Sequence, residues 1–166
     1  MLRVKNAFKN LDRIEDFFIG MTLLFVTFLI FVNVITRYFF GYSFKFAEEL
    51  TGYLLIWVTF IGSSVCVRQN KHVGIDALLL KCSTKIKWIL QFIILIVSFL
   101  FSILLLFYGW KITYSVVLSK QLSPAMMMPM YLAYISLPIG GFLMSIRYFQ
   151  SIIMHLKNYH KEKEGK

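Results

Sequence analysis

The chain has 166 residues, of which 58% are hydrophobic and 17% aromatic, while only 16% are charged. A soluble domain carries more charge than this on its surface, so the composition excludes one and predicts a membrane protein. The formal net charge is +10, but the cations lie almost entirely between apolar runs, where membrane topology and anionic lipid account for them. We therefore expect no nucleic-acid partner.

The first 16 residues are basic and amphipathic. Apolar residues recur at helical spacing while cations occupy other faces (Val4, Ala7, Phe8 and Leu11 against Arg3, Lys5, Lys9 and Arg13). This pattern predicts a helix over 1–16 that lies on the cytoplasmic membrane surface. The apolar stretch that follows is too long for a signal peptide and lacks a small-x-small cleavage site, so we expect it to remain as a membrane anchor.

Four uncharged apolar runs come next. They contain 20, 18, 23 and 18 residues and span Phe17–Thr36, Leu50–Val67, Trp88–Trp110 and Pro129–Ile146. A helix needs about 20 residues to cross a hydrocarbon layer of roughly 30 Å, and none of the runs alternates as a barrel strand does. We predict an all-α integral membrane domain over 17–147, followed by a charged cytoplasmic tail over 148–166. Its four transmembrane helices are expected at about 17–37, 48–67, 88–110 and 129–147.

The distribution of lysine and arginine predicts the orientation. The N-terminal segment, the second loop and the C-terminal segment contain four, five and five of these residues, against two in each remaining loop. Cation-rich segments stay in the cytoplasm, so both termini should face it. The second loop begins with RQNKHVGID (68–76), in which Arg68 and Lys71 are expected to reach lipid phosphates. Asp76 is placed to cap a second surface helix, with an apolar stripe formed by Leu79, Cys82, Ile86 and Ile89.

Residues that could perform chemistry are scarce. No carboxylate, histidine or cation lies inside an apolar run, although an autonomous ion-coupled carrier usually keeps one there. Nucleophile, zinc-protease and phosphate-loop motifs are missing, so we predict no enzyme, no catalytic, substrate-binding or metal residue, and no cofactor. Cys66 and Cys82 have no paired spacing, and we interpret both as structural. The methionines at 126–128 and 130 fit adaptable packing better than a copper site.

Small residues do recur at packing intervals along three of the helices. In lipid, such residues allow close helix contact, within this chain or with another membrane protein, and both uses stay open. The three series are Gly52, Thr59, Gly62, Ser63 and Cys66; Ser98, Ser102 and Gly109; and Ala133, Ser136, Gly140 and Gly141. Asn33 is expected to form an interhelical hydrogen bond rather than bind a ligand. Pro138 should interrupt and bend the fourth helix.

The outer end of the first two helices carries opposite charges. Arg37 closes the first helix and Glu48 with Glu49 opens the second, so each charge complements a helix dipole. An ion pair across this short loop is the preferred prediction. An outward docking patch that includes Lys45 is the alternative.

Three segments taken together resemble a known family. They are NVITRYFF (33–40), EELTGYLLIWVTFIGSSVCVRQNKHVGID (48–76) and SPAMMMPMYLAYISLPIGGFLMSIR (123–147). They are similar to the small permease subunit of tripartite ATP-independent periplasmic (TRAP) transporters, the DctQ-type subunit, and the resemblance covers all four helices in order. Family members often have glycine before the histidine, where this chain has Lys71.

The resemblance implies a bacterial inner-membrane subunit that forms a heterodimer with a large permease subunit and works with a periplasmic substrate-binding protein. It implies a scaffold role in sodium-driven uptake of an organic acid such as sialic acid or a C4-dicarboxylate, with sodium bound by the large subunit. We predict assembly or membrane anchoring by Arg37, Glu48, Glu49, Arg68, His72 and Asp76. Periplasmic docking is expected at Tyr42, Lys45, Lys120 and Gln121.

Two alternatives are carried forward. The first is a self-sufficient exporter or channel, built as a homo-oligomer of four-helix protomers, which should have a carboxylate in the membrane. The second is a regulatory or assembly membrane protein unrelated to transport, which fits the composition but not the ordered motifs.

Overall fold

The computed structural model describes residues 2–68 and 84–164, and these form five helices. They are α1 (Leu2–Phe40), α2 (Lys45–Arg68), α3 (Thr84–Leu118), α4 (Tyr131–Tyr134) and α5 (Ser136–Glu164). Four segments are long and apolar enough to cross a membrane: Asp12–Phe40, Lys45–Arg68, Trp88–Leu118 and Tyr131–Lys157. No strand occurs in the described ranges, where Leu122 and Pro129 form only an isolated bridge. The predicted all-α fold with four membrane-spanning helices is confirmed.

The observed helices extend past the predicted spans. α1 contains 39 residues and continues unbroken through the expected boundary at residue 16. At 1.5 Å per residue it is about 58 Å long, well beyond the hydrocarbon thickness. α3 begins at Thr84, so Ile86 and Ile89 belong to it. His72, Asp76, Cys82 and most of the predicted second surface helix lie outside the described residues.

The helices pack in a definite order. α2 lies between α1 and α5, and α3 packs along α5 on its other side. The contacts therefore run α1–α2–α5–α3, with α1 and α3 at the two edges. The span that contains α5 is the most buried of the four, whereas α1 and α3 expose large apolar side chains along their length. In a membrane those exposed surfaces meet lipid or another apolar protein.

Two adjacent glycines bring α5 against both of its neighbours. A Cβ on Gly140 would lie 2.6 Å from Phe60 Cβ of α2, and one on Gly141 would lie 2.7 Å from the backbone nitrogen of Leu106 in α3. The predicted packing role of these glycines is confirmed. For Gly52 it is wrong within this chain, since nothing lies within 4 Å of the position its Cβ would occupy.

The fourth span is interrupted at Ile135, as Pro138 predicts. Proline has no N–H, so the carbonyl of Tyr134, four residues earlier, has no helical donor. The hydroxyl of Thr113 in α3 takes its place in part: its one hydrogen is shared between Tyr134 O at 3.1 Å and Gly109 O at 2.8 Å. The break in the fourth span is thus bonded to its neighbour, which satisfies a polar group that lipid could not.

Candidate functional site

Three helices meet in a buried ionic cluster, which we call the arginine network. Arg147 of α5 donates from Nε to Ser64 Oγ of α2 at 2.7 Å, and from Nη2 to Asp12 Oδ1 and Glu15 Oε2 of α1 at 2.9 and 2.5 Å. The side chains of Arg147 and Glu15 are 8% and 6% exposed. A charge buried to this degree requires a partner of opposite sign, and each supplies the other's.

Arg68 extends the arginine network at the end of α2. Its Nη2 donates to both carboxylate oxygens of Asp16, at 2.6 and 2.8 Å, and its Nη1 lies 3.3 Å from Asp12 Oδ1. Asp12 therefore lies between the two guanidinium groups. The expectation that Arg68 reaches lipid phosphates is wrong, because its donors face the carboxylates of α1. Its predicted role as an anchoring residue stays a prediction.

The arginine network lies alongside the middle of the longest apolar run. Residues on either side of Arg147 contact α3: Ser145 hydrogen-bonds Ser102 at 2.9 Å, and the rings of Phe149 and Phe99 are 6.2 Å apart. Phe99 is the central residue of the uncharged run 88–110. The sequence prediction considered each helix singly and found no charge near its middle. Along α2 the network lies in the last turns instead, at Ser64 and Arg68, so the absence of a charge at the middle of the membrane stays a prediction.

Arg147 was absent from the predicted site residues. Arg147 follows the fourth apolar run directly, and Asp12, Glu15 and Asp16 precede the first. One signal was available: these acidic residues, Arg68 and Arg147 all end apolar runs on the side to which the topology assigns both termini. Helix ends on the same side of a membrane can lie close together. Ion pairs between opposite charges at those ends could therefore have been predicted from the sequence.

At the opposite end of the molecule, Asn33 joins α1 to the loop and to α2. Its Oδ1 accepts the Phe44 N–H at 2.8 Å, and its Nδ2 lies 3.5 Å from Glu48 Oε1. Ser43 Oγ donates to the same Glu48 oxygen at 2.8 Å. The predicted interhelical hydrogen bond of Asn33 is confirmed. The predicted ion pair of Arg37 with Glu48 or Glu49 is wrong: no ion pair of Arg37 forms among the described residues.

Glu49 faces the loop between α3 and α4 instead. Its Oε2 accepts the backbone N–H groups of Ala125 and Met126, each at 2.9 Å, and its Oε1 accepts the Tyr53 hydroxyl at 2.7 Å. Neutral peptide donors bound to a carboxylate make strong hydrogen bonds. Glu49 therefore fixes a loop 76 residues away in sequence.

The four predicted docking residues are exposed at this same end. Tyr42 and Lys45 flank the α1–α2 loop, and Lys120 and Gln121 begin the α3–α4 loop. Lys120 and Met127 adopt left-handed backbone angles, with φ of 49° and 52°. The cost of such angles for residues other than glycine is offset by the loop's backbone bonds, among them Ser123 N to Met128 O at 2.8 Å. The structure thus brings these residues to one end but forms no contact that tests docking.

The chemistry of these clusters is that of assembly. Within residues 12–68 and 88–157, the acidic groups of α1 are bound by arginines, and those of α2 by hydroxyl, amide and backbone donors. No group of three or more histidine, cysteine or acidic side chains in the described part of the chain could hold a metal ion. The arrangement joins helices and loops to one another.

The sequence of this chain is similar to one known protein family. Residues 26–158 match the model of the DctQ component of tripartite ATP-independent periplasmic transporters. The matched segment includes α2, α3 and α4 whole, most of α5, and the C-terminal part of α1 from residue 26 onward.

Three relatives agree with this match. A C4-dicarboxylate TRAP transporter small permease protein of Vibrio cholerae is 27% identical over 161 residues, which cover 84% of this chain and 69% of the relative. A protein of Haemophilus influenzae named as a TRAP transporter small permease is 30% identical, over 74% of this chain and 75% of its own length. The isethionate TRAP transporter permease protein DctMQ of Oleidesulfovibrio alaskensis is 25% identical over 83% of this chain, but only 23% of its own.

Proposed function

The chain belongs to the DctQ component family of TRAP transporters, and from this premise we propose that it is the scaffold subunit of a sodium-driven importer of an organic acid. As a small permease subunit it is a multi-pass protein of the bacterial inner membrane, and a transporter component rather than an enzyme. The scaffold role, the driving ion and the solute are the parts that we propose.

One observation carries the scaffold role: Arg147 bonds α5 to α1 and α2 at the same time. Separating α1 from α5 or from α2 leaves the charge of Arg147 or Arg68 without its carboxylates, and a buried charge left unpaired costs several kcal/mol. Gly140 and Gly141 also hold α5 against α2 and α3 at backbone distance. These contacts favour a rigid block over a moving carrier.

The proposed partner in the membrane is a large permease subunit, in a one-to-one complex. Support comes from the Oleidesulfovibrio relative, a permease protein in which this chain matches only 23% of the length. The remainder of that protein is large enough to be a second permease component. Sodium and solute are expected in the large subunit, since the acidic groups described in this chain already have partners.

The proposed second partner is a periplasmic substrate-binding protein. The distribution of cations supports an orientation with both termini in the cytoplasm, which places the α1–α2 and α3–α4 loops outside. Tyr42, Lys45, Lys120 and Gln121 are then available on the periplasmic face. The α3–α4 loop, fixed by Glu49, gives that face a defined shape.

The proposed solute is a carboxylated small molecule, sialic acid or a C4-dicarboxylate. The Vibrio relative is named for C4-dicarboxylate and the Oleidesulfovibrio relative for isethionate. Since relatives of this chain are named for different solutes, we assign solute selection to the partner proteins.

A self-sufficient homo-oligomeric exporter or channel is the second candidate, and one observation favours it. Asp12 and Glu15 are carboxylates bonded to Arg147 between the helices, and an ion-coupled carrier keeps a carboxylate within the membrane. Both carboxylates bind Arg147, however, and family membership favours the subunit role.

Reconstitution tests the proposal. Solute uptake is measured in proteoliposomes that contain this chain, its large neighbour, or both, with the binding protein outside and an inward sodium gradient. We expect uptake only with both membrane proteins, and none when potassium replaces sodium. Uptake by this chain alone would establish the homo-oligomeric carrier. Uptake by the large neighbour alone, at the full rate, would remove the scaffold role.

A further inference from the structure

A groove between α1 and α2 lies at the end of the molecule that carries the α1–α2 loop. Its volume is about 330 Å³, within the range of small-molecule sites. Apolar side chains form most of its wall, and four polar side chains complete it (Leu29, Ile30, Val34 and Ala47; Asn33, Arg37, Glu48 and Thr51). Ile30 and Val34 are also exposed on the outer surface of α1, so the groove opens toward the surrounding lipid.

Two opposite charges line this groove without pairing. Arg37 forms no ion pair with a carboxylate in the ranges 12–68 and 88–157. Glu48 is bonded at Oε1, by Ser43 Oγ at 2.8 Å, and among those same residues Oε2 has no hydrogen-bond donor. Both side chains line the same groove, yet they form no ion pair with each other. Their separation leaves room for a ligand that carries both signs.

We propose that the groove binds one phospholipid with a zwitterionic headgroup that contains a primary amine. Arg37 binds the phosphate, since a guanidinium presents parallel donors that match phosphate oxygens. Glu48 Oε2 accepts a hydrogen bond from the ammonium group. Leu29, Ile30 and Val34 contact the first part of an acyl chain.

The position of the groove suits this ligand. Arg37 follows the apolar run of α1, and Glu48 precedes that of α2, so both charges lie where headgroups meet hydrocarbon. The glycerol of phosphatidylglycerol is neutral, so beside Glu48 it offers a hydroxyl in place of a cation, and a hydrogen bond from an uncharged donor is the weaker one. A quaternary amine has no N–H to donate to Oε2. The chemistry therefore favours phosphatidylethanolamine over phosphatidylglycerol and phosphatidylcholine.

Native mass spectrometry of the delipidated full-length chain tests the proposal. Each of the three lipids is added back separately, and the population carrying one bound lipid is measured. We expect phosphatidylethanolamine to bind roughly tenfold more tightly than the others, as the loss of one charged hydrogen bond implies. Arg37→Gln and Glu48→Gln should each remove this preference. Lys111→Gln, which changes a cation outside the groove, should keep it.

Three results would overturn the proposal. Equal retention of the three lipids would show ordinary annular lipid, and unchanged preference in both groove variants would place the site elsewhere. Loss of the bound lipid when the large membrane neighbour is added would assign the groove to a protein contact. Should Glu48→Gln lose its helical circular dichroism, Arg37→Gln decides the outcome, since Arg37 has no ion pair in the described chain to lose.

Discussion

Arg147 on α5 donates to Glu15 on α1 at 2.5 Å, although 132 positions separate the two residues in the chain. The same guanidinium also binds Asp12 and Ser64, so one side chain joins three helices. Polar contacts between helices are few in a membrane. When one is lost, no water is available to bond the polar groups that formed it. The arginine network is therefore the contact on which the positions of α1, α2 and α5 depend most.

Removing the cation of the arginine network should destabilise the subunit strongly. In Arg147→Gln, Asp12 and Glu15 lose a buried cation, and breaking a buried pair in this way costs about 3–5 kcal/mol. We expect a lower unfolding temperature, measured by circular dichroism in detergent. Lys111→Gln, an exposed cation of α3, is the matched control and should change stability by less than about 0.5 kcal/mol. Equal melting of the two variants would show that the network contributes nothing.

Removing the charge of a buried carboxylate of the arginine network should destabilise the protein more than removing that of an exposed one. Glu15→Gln affects a side chain that is 6% exposed, whereas Asp16→Asn affects one that is 53% exposed and contacts Arg68 alone. We expect a loss of several kcal/mol for Glu15 and less than about 1 kcal/mol for Asp16. Denaturant titration of both variants gives the comparison. The reverse order would mean that Asp16 has an important partner outside the described residues.

Adding a methyl group at Gly140 should separate α5 from α2. The new Cβ of Gly140→Ala would lie 2.6 Å from Phe60 Cβ and 3.1 Å from the Phe60 carbonyl oxygen, so a helix must move. Overpacking of this kind costs about 1–3 kcal/mol. Gly52→Ala is the control, because its Cβ meets nothing within 4 Å and alanine is the better helix former. A destabilised control together with a stable Gly140→Ala would contradict the observed packing.

The bond between Thr113 and the broken span can be tested by a double-mutant cycle. Thr113→Val removes the hydroxyl that lies 3.1 Å from the Tyr134 carbonyl oxygen, and should cost about 1 kcal/mol. Pro138→Ala supplies the missing helical N–H to the same carbonyl. The cost of Thr113→Val, measured as the change in unfolding free energy, should therefore fall in the Pro138→Ala background. Equal costs in both backgrounds would show that this carbonyl does not need Thr113.

Glu49 should control the order of the α3–α4 loop. Glu49→Ala removes the acceptor of the Ala125 and Met126 N–H groups, so hydrogen exchange at those two amides should become faster. Glu49→Gln should preserve most of the protection, because an amide oxygen can accept the same bonds. Glu48→Ala is the neighbouring control, since Glu48 bonds only Ser43 and Asn33 among described residues. Unchanged exchange in Glu49→Ala would rule out the proposed fixing of the loop.

The fold could be predicted because membrane helices are encoded locally. The length of each apolar run between Phe17 and Ile146 is enough to predict a membrane-spanning helix. Pro138 predicts a break because proline has no N–H to donate. Asn33 was also assigned correctly, because a lone amide near the end of an apolar helix has few uses other than a bond to the next helix. These signals need no knowledge of which helices are neighbours.

The arginine network could not be derived in the same way. Whether Arg147 meets lipid phosphates or Glu15 depends on the order of packing, which places α2 between α1 and α5. The ion pair predicted for Arg37 is wrong, and for Glu49 the reason is also tertiary: its carboxylate is bound by Tyr53 and by backbone N–H groups of the α3–α4 loop. The sign and spacing of the charges indicate which residues could form ion pairs. Which pairs form depends on the tertiary contacts between the helices.

The central claim is that this chain is a fixed scaffold, and a distance measurement across it tests that claim most directly. Spin labels are placed on α1 and α3, the two edge helices, at the exposed positions Leu24 and Leu104, in a background without Cys66 and Cys82. Double electron–electron resonance is recorded on the reconstituted complex with and without sodium and solute. A scaffold predicts the same distance distribution in every condition. A distribution that shifts with sodium and solute would contradict the account, because it would make these helices part of the moving machinery.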